Sequence, residues 1–213
     1  MHILGPGFDS QRLHKKERIL QQILIGTNNK GKINEYRILL QGFFNPVSLE
    51  SLGIDLNVEE TGNSYEENAI LKLQHLIAKS PIPVITDDSG IEVSSLNDEP
   101  GIFSARYAGE NATDQQNIDK LLNKINGNTD RRARFVCFIA FGDPSDYSSP
   151  IIASGESRGV ISEVQEGKNG FGYDSIFYNE QLSKTFAQLD QNEKILISHR
   201  AEAVKDLLIK LNI

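Results

Sequence analysis

Between the apolar triplet Ile23–Leu24–Ile25 and a helical repeat stands the string Gly26-Thr-Asn-Asn-Lys-Gly-Lys32. Backbone N–H groups at a helix start, the helix dipole and a lysine together suit a phosphate. The string fits the front of a G-x-x-x-x-G-K loop, but Ile33 follows where that loop places the Ser or Thr that holds Mg²⁺. From these residues alone, a phosphate cradle and a solvated Asn/Gly turn weigh equally. The second constellation is acidic. Glu59–Glu60 precede a helix, and Asp87-Asp88-Ser89-Gly90 follow the apolar run Val84–Ile85–Thr86. As a strand, that run presents the aspartates at its carboxyl end, where α/β proteins bind ligands. Like charges so close need a cation or solvent to screen them. Mg²⁺ takes a few carboxylates and completes its shell with phosphates and water. A metal between Glu59 and Asp88 accounts for both pairs. Read alone, Glu59–Glu60 is a solvated turn, whereas the Asp87–Gly90 run points to function.

Two further clusters complete the set. In Gly170-Phe-Gly-Tyr-Asp174 the glycines permit close backbone approach and the aromatic faces suit a base. Asp174 can accept a hydrogen bond from a base edge. Alone, this string reads as a tight turn with core aromatics. Lys194 and Ser198-His199-Arg200 fall in what reads as one last helix, with Lys194 and Ser198 at i, i+4 on one face. Arg200 suits a phosphate or a base face, and His199 a purine carbonyl oxygen. The plain alternative is the charged face of an amphipathic helix. Tyr107 is a weaker signal, and Arg131, Arg132 and Arg134 read as a solvated strand entrance. Together the four clusters describe a cleft with a phosphate cradle, a carboxylate–metal pair and a base pocket, which predicts a nucleotide and chemistry at phosphorus.

The elements that must carry these residues alternate early in the chain. Strand Ile23–Ile25 leads through the glycine loop to a helix over Lys32–Gln41, stopped by Asn45–Pro46. Val47–Leu49 reads as a second strand. Ser64-x-x-Glu67 opens a long helix to Lys79, with Ala69, Ile70, Leu73, Leu76 and Ile77 as its apolar stripe. Strand Val84–Thr86 follows, then a separate half-buried strand around Ile91 and Val93. Thr113-x-x-Gln116 caps a helix to about Asn126. Phe135–Phe141 and Ile151–Ile161 are strands joined by a hairpin at Pro144–Pro150, and Ile176–Tyr178 is another. The last helix begins near Gln191 and turns Leu196, Val204, Leu207, Leu208 and Leu211 inward. Early alternation with a central hairpin predicts an α/β fold with a mixed sheet.

The chain has 213 residues, enough for one generous domain. We expect a loose extension or tag over residues 1–18 and a single catalytic domain over 19–213. Its 29 acidic against 22 basic residues, a net charge of −7, make nucleic acid and membrane surfaces poor partners. No apolar run approaches the roughly 20 residues that span a bilayer. The single cysteine, Cys137, cannot form an intrachain disulfide and reads as a buried thiol in a reducing cytoplasm. The start of the chain lacks the apolar stretch of a secretory signal.

TNNKGKINE, EETGNSYEENA, TDDSGIEVSSLNDEPGIFSARYAG, GFGYD and EKILISHR stand in the order found in the inosine triphosphate pyrophosphatases. The chain resembles that family from about Ile23 to its C-terminus, and its bacterial-type members more than its eukaryotic ones. The resemblance implies a house-cleaning hydrolase that converts ITP, dITP and XTP to monophosphate and pyrophosphate, keeping deaminated purines out of DNA and RNA. It implies Thr27, Asn28, Asn29, Lys30, Gly31 and Lys32 as the phosphate loop, with Asn29 and Lys32 the strongest contacts. Glu59 and Asp88 match the Mg²⁺ ligands. Asp88 also matches the proton acceptor, with Asp87 its neighbour, and Ser89 matches a substrate contact. Phe171, Gly172, Tyr173, Asp174, Lys194, His199 and Arg200 match the base and substrate pocket. The implied mechanism is Mg²⁺-assisted water attack at the α-phosphorus. The implied molecule is an elongated mixed α/β homodimer, cytoplasmic, with the cleft between two lobes. One departure is Ser175, where the family commonly has a proline that stiffens the loop. The alternatives are a Maf-type pyrophosphatase acting on modified pyrimidines or other nucleotides, a non-catalytic nucleotide sensor, and a P-loop ATPase. The SHR block, the retained carboxylates and Ile33 argue against them in turn.

Overall fold

The computed structural model describes residues 20–213; the expected extension over residues 1–18 lies outside the described residues. Among the described residues, seven strands form one mixed sheet: β1 (Gln22–Ile25), β2 (Asn45–Ser48), β3 (Val84–Val93), β4 (Arg132–Gly142), β5 (Ile151–Ile161), β6 (Phe177–Asn179) and β7 (Lys184–Thr185). Their spatial order is β2-β1-β3-β4-β5-β6-β7. β2, β1 and β3 run parallel, and every later pairing is antiparallel. Helices α1 (Lys30–Leu39), α2 (Tyr65–Ile77), α3 (Asp114–Ile125), α4 (Gln191–Lys194) and α5 (His199–Lys210) flank it. The expected α/β fold with a mixed sheet is therefore present. Among the described residues, no helix is long and apolar enough to cross a membrane.

Alternation along the strands decides which helix each face receives. Leu24, Val84 and Ala140 point to α2, where Ala69, Leu73 and Leu76 close the core. Ile23, Ile25, Ile85, Cys137 and Ile139 point to the opposite face, under Tyr36 of α1, its C-cap Leu40, and Ala203, Val204 and Leu207 of α5. Each fully buried Leu or Ile contributes about 1.5–3 kcal/mol. A third cluster gathers at the far end of the long strands, where Ile91, Val93 and Phe135 meet Ile118 and Leu121 of α3 and Phe177 and Phe186. The cores thus lie in two regions, joined by β3, β4 and β5.

Two expectations need correcting. Val84–Thr86 and Ile91–Val93 are not separate strands: β3 runs unbroken through Asp87-Asp88-Ser89-Gly90 and pairs with β4 residue by residue. The polar run continues as a strand because β4 pairs its backbone and cationic or amide side chains meet it on both faces, Lys32 and Arg200 at Asp87 and Asn68 and Lys72 at Asp88. The expected single C-terminal helix is two: α4 ends at Lys194, and Ser198 caps α5, its side chain accepting a hydrogen bond from the Ala201 amide. The break turns Leu196 out to solvent rather than inward.

Candidate active site

β1 pairs with only the first two residues of β3. Beyond Ile85, no strand among the described residues lies beside this edge of β3 until the isolated bridge between Glu92 and Pro100. A cleft of about 390 Å³ opens against that edge. One wall is the loop leaving β1. The Asn29 side chain accepts from the Lys32 amide at 3.1 Å and caps α1, and the Asn29 amide donates to the Thr27 hydroxyl at 3.2 Å. A helix start is thereby aimed at the cleft, and Thr27, Asn28, Asn29 and Lys32 line it. Lys30 points to solvent, and Gly31 backs onto Phe171, whose ring a Cβ at that position would overlap.

Neighbouring residues of an extended strand face opposite ways, and this separates the two aspartates. Asp87 turns to the α1/α5 side. Its Oδ2 lies 3.0 Å from Lys32 Nζ and 3.1 Å from Arg200 Nη2, and the Cys137 thiol approaches it at 3.8 Å. Burial alone would raise its pKa, but Lys32 and then Arg200 outweigh burial and hold the carboxyl well below the usual range. Asp88 turns to the α2 side and lines the cleft. Its Oδ2 accepts from Asn68 Nδ2 at 3.1 Å, and its Oδ1 lies 3.5 Å from Lys72 Nζ. Here burial prevails over Lys72 and Lys32, Glu60 adds to it, and the pKa rises.

Glu59 is exposed to solvent, whereas Glu60 lines the cleft, with Oε1 3.1 Å from the same Lys72 ammonium. The carboxylate that approaches Asp88 is therefore Glu60, one residue beyond the ligand expected from the family match. Among the described residues, no three His, Cys, Asp or Glu side chains converge as a metal cage. Mg²⁺ does not require one, because it commonly binds through one or two carboxylates plus substrate phosphates and waters. Glu60 and Asp88, which already share one cation in the Lys72 ammonium, fit that need.

The opposite wall holds the aromatic loop. The Phe171 amide donates to Asp174 Oδ2 at 2.9 Å, the Gly172 amide to Asp114 Oδ2 at 2.7 Å, and the Tyr173 hydroxyl to the Ser104 carbonyl at 2.8 Å. Gly172 has φ +58°, a region that glycine enters without strain. Ser175, in the place of the family's proline, donates its hydroxyl to Gln165 Oε1 at 3.1 Å. The loop is thus tied down at several points. Asp174 is buried, and its Oδ2 also takes the Lys194 ammonium at 2.6 Å; burial outweighs that lysine, and its pKa rises.

Lys194 and Arg200 converge on a residue that the sequence reading did not name. Glu35 of α1 is buried, with Lys194 Nζ 2.7 Å from one oxygen and Arg200 Nη1 on the other. Burial works to raise its pKa, but Arg200 and Lys194 prevail and lower it. Arg200 is almost fully enclosed by Glu35, Asp87 and the Ser89 hydroxyl, the last at 3.0 Å from Nη2. It braces the cleft floor more than it offers a free guanidinium. His199 stacks on Phe135 with ring centroids 4.7 Å apart, and burial, then Arg200 and Lys194, push its pKa well down, so the imidazole is neutral. Asp88, Ser89, Phe171, Gly172, Tyr173, Asp174, Lys194, His199 and Arg200 all line the one cleft, whereas Asp87 lies beneath it. Glu35, Lys72, Asn68 and Asp114 are the additions. Signals for two were present: Glu35 is one turn from Lys32, and Lys72 lies four residues from Asn68 on the apolar face of α2.

A family model described as the Ham1 family matches residues 23–210. The chain is 47% identical over 185 residues to a dITP/XTP pyrophosphatase of Staphylococcus aureus, covering 87% of this chain and 93% of that protein. It is 46% identical over 195 residues to a dITP/XTP pyrophosphatase of Haemophilus influenzae, covering 90% and 99%. Its fold is similar to the solved structure of the Staphylococcus aureus Ham1 protein, with a TM-score of 0.79, 46% identity and coverage of 90% and 98%.

Proposed function

The chain belongs to the Ham1 family, and on that premise we propose that its cleft hydrolyses ITP, dITP and XTP to the nucleoside monophosphate and pyrophosphate. The observation that carries this reading is the convergence of Asp88 and Glu60 on one cation, across a cleft from a capped helix start and Lys32. Helix N-termini and lysines take phosphates, and paired carboxylates take a divalent cation. Relatives named dITP/XTP pyrophosphatases over nearly their whole length support the substrate class.

Glu60 and Asp88 would hold Mg²⁺, which supplies screening of the phosphate charge and a site for the attacking water. Asp88 takes the water's proton; of the aspartate pair it is the one whose carboxylate faces the open cleft. Asp87, locked as a carboxylate between Lys32 and Arg200, positions those two cations instead. Lys32 and the first amides of α1 stabilise the phosphate oxygens as charge builds on them. On the base side, neutral His199 donates one N–H to a 6-oxo group, and Phe171 presents an aromatic face. Adenine, with its 6-amino group, leaves such a donor unpaired, a mismatch that polar pockets reject strongly. The molecule is a cytoplasmic homodimer in this reading. The family likeness supports the dimer. The cytoplasm accords with the buried Cys137, whose thiol burial pushes up to about 12.

Hydrolysis of ITP in ¹⁸O-labelled water tests the position of attack. Label in IMP is expected from water adding to the α-phosphorus. Label in pyrophosphate would overturn the reading.

A further inference from the structure

Lys72 sits on the apolar face of α2, between Ala69 and Leu73, yet its side chain ends in the cleft. Its Nζ lies 3.1 Å from Glu60 Oε1 and 3.5 Å from Asp88 Oδ1, with the side chain only 7% exposed. The other oxygens of both carboxylates have partners of their own. Asn68 donates to Asp88 Oδ2 at 3.1 Å, and Arg106 Nη1 lies 3.7 Å from Glu60 Oε2. One oxygen from each carboxylate is therefore turned toward a common point, and the ammonium occupies it.

We propose that Lys72 is an internal placeholder for the divalent cation, bridging Glu60 and Asp88 in the nucleotide-free enzyme and leaving that bridge when the cation enters. This rests on the reading of Glu60 and Asp88 as the metal-holding pair. Two partly buried carboxylates without a counter-charge repel and are costly to desolvate. The ammonium offsets both effects while the cleft is empty, so the pair stays assembled. A divalent cation and an ammonium cannot share the bridge, because at about 4 Å in a partly buried site their repulsion is strong. The side chain that must move is a compact charge on a flexible four-carbon stem. The carboxylates, held from behind by Asn68 and Arg106, can remain in place. Cation entry is then an exchange, and the free enzyme binds the cation weakly because it already holds one.

Binding of Mn²⁺ to the nucleotide-free protein, followed by loss of the free-ion electron paramagnetic resonance signal, tests the exchange without any turnover. Lys72→Met is expected to bind Mn²⁺ at least about tenfold more tightly than wild type, and Lys72→Arg to bind no more tightly. In EDTA, Lys72→Met should melt below wild type and regain more of its Tm on adding Mn²⁺. Should Lys72→Met not fold, Lys72→Gln is read by the same criteria. Affinity in the neutral variant equal to or weaker than wild type would overturn the placeholder role. Two companion variants separate this from the ligand assignment. Mn²⁺ binding that survives both Glu60→Gln and Asp88→Asn in the Lys72→Met background would overturn the metal-holding pair. Loss of binding in those variants without the gain in Lys72→Met would overturn the placeholder alone.

Discussion

Asp87 and Asp88 are adjacent and chemically identical, yet the strand gives them different tasks. Asp87 meets Lys32 and Arg200 in a dry site beneath the cleft, and Asp88 meets Asn68 and Lys72 at its open edge. Conservative amides should therefore part the two effects. Asp88→Asn removes the proposed base and is expected to cut kcat for ITP by at least about 10²–10⁴-fold with Tm little changed; kcat near wild type would remove that role from Asp88. Asp87→Asn leaves Lys32 and Arg200 without their shared counter-charge and is expected to cost about 3–5 kcal/mol in denaturant unfolding. The pH dependence has a definite sign. A carboxyl lowered on folding contributes stability above its unfolded pKa of about 3.9 and loses it as pH falls through that value toward its folded one. The stability gap between wild type and Asp87→Asn should accordingly be full at neutral pH and shrink below about pH 4. The sequence made the aspartate pair visible as a site, but not its division. That division depends on Lys32, Lys72 and Arg200, which lie far apart along the chain. Glu59 and Glu60 illustrate the same limit, since no local rule says which of two neighbouring acids faces inward.

At the scale of elements, caps aim the site. Asn29 starts α1 at the cleft, and Ser198 starts α5 so that His199 and Arg200 form its first turn. Ser198→Ala should cost about 1 kcal/mol of stability, and it should raise KM for ITP because the two residues that follow lose their fixed start. Thermal melts and steady-state kinetics on one preparation check both, and an unchanged KM would detach the cap from the site. Local rules read many elements well: Ile151–Ile161 matches β5 to the residue, and Thr113 caps α3 as expected, with Gln116 completing a capping box. They failed where polar residues interrupt an element. Asp-Asp-Ser-Gly reads as a strand end, yet β3 continues because β4 supplies backbone partners and both faces supply side-chain ones. The break after Lys194 was hidden by apolar spacing that carried a helical period across it, although Ser198 is itself a preferred cap residue.

For the whole molecule, the two core regions are not independent. β3, β4 and β5 each run through both, so loss of one region strips strand partners from the other. Far-ultraviolet and near-ultraviolet circular dichroism should therefore trace one coincident unfolding transition, and two separated transitions would show lobes that fold apart. The cleft exists because β1 stops short on β3, leaving an edge where a helix start, two carboxylates and an aromatic loop meet. The motifs showed which groups belong together. Only the short pairing of β1 showed where the opening lies. Pyrophosphate release from ITP, XTP, GTP and ATP, with Mg²⁺ and with EDTA, tests this account most directly. It predicts strong Mg²⁺-dependent pyrophosphate release from ITP or XTP, little from GTP and ATP, and none in EDTA. Release of orthophosphate, or no product from any of the four, would contradict it.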